Sequence, residues 1–245
     1  MTIAHALCGY LTIALLARRW LGPGSHAGVS LGDLRLAGGL VSLGAVLDVL
    51  DGPVARRLGS SGLGTVLDGM CDTVTFGVVP AIVIAASGAP ANDLGGWALV
   101  AAGAVFLTAM ILRLARSELT AGETIMGGFQ GLPSAPAAGV GLGLVALRAT
   151  PLVTCLLVLV LAALVVGNFR YPRQRPLLMP IIAGGPVIGL LGVWGVLPLE
   201  PALIVMMVST IVLPAASAVS AWRLRDGASD ALTRVPVSED VSVES

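Results

Sequence analysis

Asp48-Val49-Leu50-Asp51-Gly52-Pro53-Val54-Ala55-Arg56 is followed, after seven further residues, by Gly64, Asp68 and Asp72. The flanking sequence is apolar enough to lie in lipid, yet four carboxylates fall within these twenty-five positions. An acidic side chain near the centre of a membrane helix costs roughly 2.5–3.5 kcal/mol on insertion scales, so four together call for a compensating partner, most simply a bound cation. On helices, Asp48 and Asp51 stand i, i+3 and Asp68 and Asp72 stand i, i+4, so each pair shares a face. Two such helix ends opposed to one another would make a cage of carboxylate oxygens. Hard divalent cations, Mg2+ or Mn2+, suit such a cage, and no His or Cys set at ligand spacing along the chain points to zinc. Pairing with Arg56 and Arg57 alone would leave two of the four carboxylates without a counter-charge.

The pattern Asp-x-x-Asp-Gly-x-x-Ala-Arg, a spacer, then Gly-x-x-x-Asp-x-x-x-Asp resembles the signature of the CDP-alcohol phosphatidyltransferases. Asp48, Asp51, Gly52, Ala55, Arg56, Gly64, Asp68 and Asp72 fill every fixed position, with the shorter of the usual spacers. The resemblance implies that Asp48, Asp51, Asp68 and Asp72 hold two divalent cations, and that Asp72 also accepts the proton of the attacking alcohol. It further implies that Gly52, Ala55, Arg56, Gly64 and Ser60 or Ser61 contact the CDP portion of a lipid donor.

Composition sets the class independently of the motif. At 56% hydrophobic and 11% charged residues, the 245-residue chain reads as an all-α polytopic membrane protein. The formal net charge is zero and no basic cluster with interleaved aromatics occurs, which argues against a nucleic-acid partner. Cys8, Cys71 and Cys155 all lie in apolar segments and read as packing residues, not a disulfide framework.

Outward from the motif, the apolar runs predict about eight transmembrane helices: 2–17, 36–57, 64–87, 97–116, 135–149, 151–168, 177–194 and 201–222. The catalytic hairpin lies between the second and third. The first run lacks a preceding positive residue and reads as a retained helix ending at Arg18, Arg19 and Trp20. Residues 22–35 read as a polar connection, and residues 58–62 as a short loop whose backbone NH groups can approach a phosphate. His5 and His26 have no carboxylate or second histidine at ligand spacing in the sequence, so both read as structural. The segment Thr2-Ile3-Ala4-His5-Ala6-Leu7-Cys8-Gly9 is similar to an N-terminal segment of phosphatidylserine synthases, where Asn is more usual than His5.

Two further stretches narrow the resemblance to the phosphatidylserine synthase branch. Phe129-Gln130-Gly131-Leu132-Pro133-Ser134-Ala135-Pro136 resembles its Phe-x-Gly-Leu-Pro-x-Pro, one residue longer before the second proline. Asn168-Phe169-Arg170-Tyr171-Pro172 resembles its Asn-x-x-Tyr-Pro. A tight turn alone would also account for the glycine and proline content of the first stretch. The branch implies L-serine as acceptor and CDP-diacylglycerol as donor, with the serine carboxylate met by Arg113, Arg116, Gly131 or Arg170. Arg113 and Arg116 share a helix face, although anchoring at the positive side of the membrane explains them equally well.

Eight spans place both termini on one side, together with the motif. On that side lie Arg56, Arg57, Arg113, Arg116, Arg170, Arg173, Arg175, Arg223, Arg225 and Arg234, against Arg18, Arg19, Arg35 and Arg148 opposite. The asymmetry points to a cell-membrane protein with termini and active site facing the cytoplasm. Residues 1–225 therefore read as one integral membrane domain, and residues 226–245, rich in Ser, Asp and Glu, as a disordered cytoplasmic tail. The family and the Gly- and Ala-rich helix faces suggest a homodimer. Three alternatives stay open: another acceptor such as glycerol 3-phosphate or inositol phosphate, an archaeal-type ether-lipid donor, and a cation transporter lined by the aspartates. The last leaves Gly52, Ala55, Arg56 and Gly64 unexplained, and an arginine beside a cation path repels the permeant ion.

Overall fold

The computed structural model describes residues 2–22, 28–58, 62–88, 93–120, 128–167 and 170–172, with short pieces between 191 and 198; for 2, 49, 51–58, 62, 65, 118, 120, 128–130 and 170–172 it describes the backbone only. Among the described residues seven α-helices run in order: α1 Thr2–Leu21, α2 Leu31–Leu58, α3 Gly62–Asp72, α4 Val79–Ala86, α5 Leu94–Thr120, α6 Ser134–Ala146 and α7 Pro151–Val166. A π-helical turn, Thr73–Val78, joins α3 to α4. Apart from these helices, one antiparallel pair of three-residue strands is described, β1 Gly128–Gln130 and β2 Arg170–Pro172, with Phe129 opposite Tyr171. The expected span 201–222, the tail after 225 and all of the span 177–194 but 191, 192 and 194 lie outside the described residues.

The second helix begins earlier than the apolar run suggests, at Leu31 and not near 36. Ser30 and Asp33 explain the start by capping one another: Ser30 NH donates to Asp33 Oδ2 (2.9 Å) and Asp33 NH donates to Ser30 Oγ (3.1 Å). Asp33 is fully buried, and it also accepts from Trp20 Nε1 (3.2 Å) and pairs with Arg19 Nε (2.9 Å), which ties the end of α1 to the start of α2. The connection between the spans expected at 97–116 and 135–149 is likewise shortened, since α5 continues to Thr120 and α6 begins at Ser134. Within it, β1 pairs with β2, so the two stretches that resemble phosphatidylserine synthases are hydrogen-bonded to one another.

The third expected span is continuous but not uniform. Pro80 has no NH to give and its ring crowds the carbonyl four residues back, and the ladder widens into the π turn just before it. Thr73 Oγ1 donates back to the Gly69 carbonyl (2.8 Å) at the same place.

Phe76, Val79, Val83, Ile84, Phe106, Met110, Val140 and Leu161 form the centre of the core, where the π turn, α4, α5, α6 and α7 meet. Gly103 lets α5 approach α4 closely, because a Cβ there would lie 2.6 Å from the Ala81 carbonyl oxygen. Outward faces stay apolar: Leu152, Leu156 and Val160 on α7 are 70%, 54% and 58% exposed, and Val100, Val105, Ile111 and Leu112 on α5 are also exposed. Such a surface is costly in water and suits lipid. Val66–Ala86 and Leu94–Ser117 are each long and apolar enough to cross a membrane, and Ser134–Ala146 and Pro151–Val166 are shorter apolar helices.

Candidate active site

Asp72 ends α3, just ahead of the π turn, and it is the point on which four elements converge. It is 8% exposed. Its Oδ2 accepts a hydrogen bond from Ser134 Oγ (2.7 Å), the first residue of α6. Its Oδ1 is buried without a hydrogen bond, and His5 Nδ1 of α1 stands 3.8 Å away, beyond hydrogen-bonding reach. Asp48 of α2 completes the group: ligand atoms of His5, Asp48 and Asp72 all lie within 4.8 Å of one another. Asp48, Asp68 and Arg113 all act electrostatically on Asp72.

The surroundings hold the His5 ring in place. It is fully buried, lies 4.8 Å from the Phe76 ring centre, and its backbone carbonyl accepts from Thr75 Oγ1 (3.2 Å). Gly44 on α2 makes room for it, since a Cβ there would meet His5 Cδ2 at 2.9 Å and Thr75 Cγ2 at 3.0 Å. Thr75 and Phe76 both belong to the π turn, so the wide turn below Asp72 is also what braces the histidine.

The residues expected from the sequence are distributed as follows. Asp48, Asp68, Asp72 and Arg113 come together; Asp68 and Arg113 are half-buried, and Arg113 Nε is buried without a hydrogen bond. Arg116, one turn further along α5, donates from Nη1 to the Val166 carbonyl (2.8 Å) and so ties α5 to the end of α7. Gly64 is exposed on the first turns of α3. Gly131 is buried with φ +72°, and a Cβ there would collide with the Val165 carbonyl oxygen, which accounts for a glycine in this turn. Arg170 pairs in register with Gln130. Asp51, Gly52, Ala55 and Arg56 lie on the last turns of α2, their side chains outside the described residues, as are Ser60 and Ser61 altogether.

Two residues at the centre of the site were not singled out from spacing. His5 read as structural because its carboxylate neighbours are remote in sequence, and Ser134 read as part of a turn. The departure from the usual Asn at position 5 was the available signal for the first. The extra residue in Pro133-Ser134-Ala135-Pro136 was the signal for the second.

Two carboxylates and an imidazole around a buried oxygen that makes no hydrogen bond are a donor set that fits a divalent cation. With Arg113 alongside, the arrangement can bind a phosphorylated ligand through metal and cation and leave a carboxylate oxygen near the reacting atoms.

Comparison with known proteins accords with this geometry. A CDP-diacylglycerol–serine O-phosphatidyltransferase of Methanocaldococcus jannaschii is 33% identical over 135 residues, 55% of this chain and 62% of that protein. One of Mycobacterium leprae is 37% identical over 116 residues, 44% of this chain and 37% of that protein. An archaetidylserine synthase of Methanothermobacter thermautotrophicus is 29% identical over 180 residues, 71% of this chain and 68% of that protein. The first two matches thus span less than two thirds of their relatives' length. The family model for CDP-alcohol phosphatidyltransferases matches residues 1–224. A match across nearly the whole chain, with Asp48 and Asp72 of the signature side by side, makes this protein a member of the CDP-alcohol phosphatidyltransferase family.

Proposed function

We propose that the protein transfers the phosphatidyl group of CDP-diacylglycerol to the hydroxyl of L-serine, giving phosphatidylserine and CMP. The observation that carries the reading is the convergence of Asp48, Asp68 and Asp72 beside Arg113, in a chain whose relatives include several named for serine transfer. Asp48, Asp51, Asp68 and Asp72 would hold two divalent cations, Mg2+ or Mn2+, which when bound neutralise the donor pyrophosphate and the departing CMP. Gly52, Ala55, Arg56, Ser60, Ser61 and Gly64 line the CDP portion. Asp72 takes the hydroxyl proton of serine as its oxygen attacks the phosphorus of the phosphatidyl group; the new O–P bond forms and the P–O bond to CMP breaks. The hydrogen bond from Ser134 engages one lone pair of Asp72 Oδ2 and fixes the plane of the carboxylate, which leaves Oδ1 for a metal ion and the second lone pair of Oδ2 for the proton. Arg113, with its buried Nε lacking a hydrogen bond, is the best placed of the expected cations to receive the serine carboxylate. Arg116, Gly131 and Arg170 support the same side by fixing α5, α7 and the strand pair.

The exposed apolar faces support a position in the membrane, and the arginine distribution supports termini and site on the cytoplasmic side of the cell membrane. Residues 1–225 form the membrane domain in this reading, 226–245 a cytoplasmic tail, and the working unit is a homodimer. A second donor is favoured by one observation: the relative matched over 71% of this chain is named an archaetidylserine synthase, which keeps an ether-lipid donor in view.

The test is transfer of radiolabelled L-serine into lipid by the purified protein with CDP-diacylglycerol, or with its ether-lipid counterpart, and Mn2+ or Mg2+. Labelled lipid that disappears in Asp72→Asn supports acceptor and motif together, and the preferred donor decides between the two tails. CMP release with glycerol 3-phosphate or inositol phosphate but not serine would overturn the acceptor and leave the reaction class.

A further inference from the structure

We propose that His5 is itself a ligand of the divalent cation, so that the ion shared by Asp48 and Asp72 is held by mixed nitrogen and oxygen donors. This rests on the reading of the two aspartates as metal ligands given above. Two donors bound to one ion at about 2.1 Å each stand roughly 3 Å apart at a right angle and about 4 Å apart when nearly opposite. The 3.8 Å between His5 Nδ1 and Asp72 Oδ1 falls in that interval and is too long for a hydrogen bond, so the pair is spaced for a shared ion.

The rest of the pocket is built to keep that spacing. Ser134 engages Asp72 Oδ2 and leaves Oδ1 turned toward the histidine. The imidazole is fully buried beside Phe76, and its Cδ2 edge lies so close to Gly44 that a Cβ there would stand 2.9 Å from it. Asp48 brings a further oxygen within 4.8 Å of both. An imidazole nitrogen binds Mn2+, and more strongly the later transition ions, better than it binds Mg2+, which prefers oxygen donors and water. The consequence is a preference for Mn2+ over Mg2+ that four carboxylates alone would not give.

His5 and His26 are the two histidines of the chain, so a tag without histidine allows a direct test on the full-length protein in lipid nanodiscs. Protein made with 15N-histidine is loaded with Mn2+ alone and studied by pulsed electron paramagnetic resonance. Expected is a directly coordinated 15N coupling in the parent and in His26→Asn, absent in His5→Asn. Mn2+ affinity in His5→Asn should fall by at least the roughly 10-fold that loss of a supporting group costs, with Mg2+ affinity changed less. A saturable Mn2+ site that is lost in Asp72→Asn but shows no histidine coupling would overturn the role of His5 and leave the aspartates as ligands. A coupling that belongs to His26 would do the same. Failure to find any Asp72-dependent Mn2+ binding would overturn both readings. Should His5→Asn not fold, the labelled spectra of the parent and of His26→Asn still decide the matter.

Discussion

Replacing Ser134 by alanine removes the hydroxyl that donates to Asp72 Oδ2 across 2.7 Å. Ser134 and Asp72 are 7% and 8% exposed, so bulk water is poorly placed to supply a substitute donor. A hydrogen bond to a charged acceptor contributes about 1.5–3 kcal/mol, and at about 1.4 kcal/mol per factor of ten the loss corresponds to a change of about 10- to 100-fold. Where the change falls identifies what Asp72 does. If Ser134 holds the carboxylate as a metal ligand, the Mn2+ concentration for half-maximal CMP release rises by that factor while kcat at saturating metal is retained. If it holds the carboxylate as a base, kcat falls by that factor at every metal concentration. The assay is CMP release from CDP-diacylglycerol by purified Ser134→Ala and parent protein, titrated with Mn2+, with thermal unfolding of both to confirm equal folding. Unchanged kcat and unchanged metal dependence in a folded Ser134→Ala protein would refute the argument that this bond organises the site.

Three other outcomes are expected. Gly44→Ala places a methyl 2.9 Å from His5 Cδ2 and 3.0 Å from Thr75 Cγ2, so it should lower stability by about 1–3 kcal/mol and weaken Mn2+ binding, measured by thermal unfolding and titration. Gly131→Ala, at φ +72° with the Val165 carbonyl in the way, should destabilise the junction of β1 with α6 and α7 by about 1–3 kcal/mol, seen as a lower Tm. Asp33→Ala removes the α2 cap and the partner of Trp20 and Arg19; a loss of about 2 kcal/mol in unfolding free energy is expected, with serine transfer per folded molecule unchanged.

The aspartate motif was legible in the sequence because its information is local. Asp68 and Asp72 share a helix face by their spacing, and the structure brings Asp48 to the same place. The apolar runs likewise announced α1, α5 and α7. What the sequence did not display is pairing over distance. Ser134 meets Asp72 from 62 positions away, and Thr75 meets the carbonyl of His5 from 70, separations at which no periodicity connects one residue to another. The strands β1 and β2 are three residues each, too short to show an alternating pattern, so Phe-x-Gly-Leu-Pro and Asn-x-x-Tyr-Pro read as separate loops until their pairing joined them. The start of α2 is a different case. Ser30-x-x-Asp33 is a capping signature that stood in plain view, masked by the glycines around it.

The π turn at Thr73–Val78 has a bearing on how this protein can change length. A π turn is a helix that has taken in one extra residue while the segments on either side keep the mutual orientation of an uninterrupted helix. Losing one residue from 73–78 would therefore return the stretch to ordinary α-helix with Asp72 still aimed at its partners, at the expense of the bracing that Thr75 and Phe76 give His5. Losing one residue from 69–71 would instead turn Asp68 about 100° away from Asp72. Among descendants and relatives, single-residue gains and losses in this span should gather in the π turn, and each should be accompanied by a change at position 5.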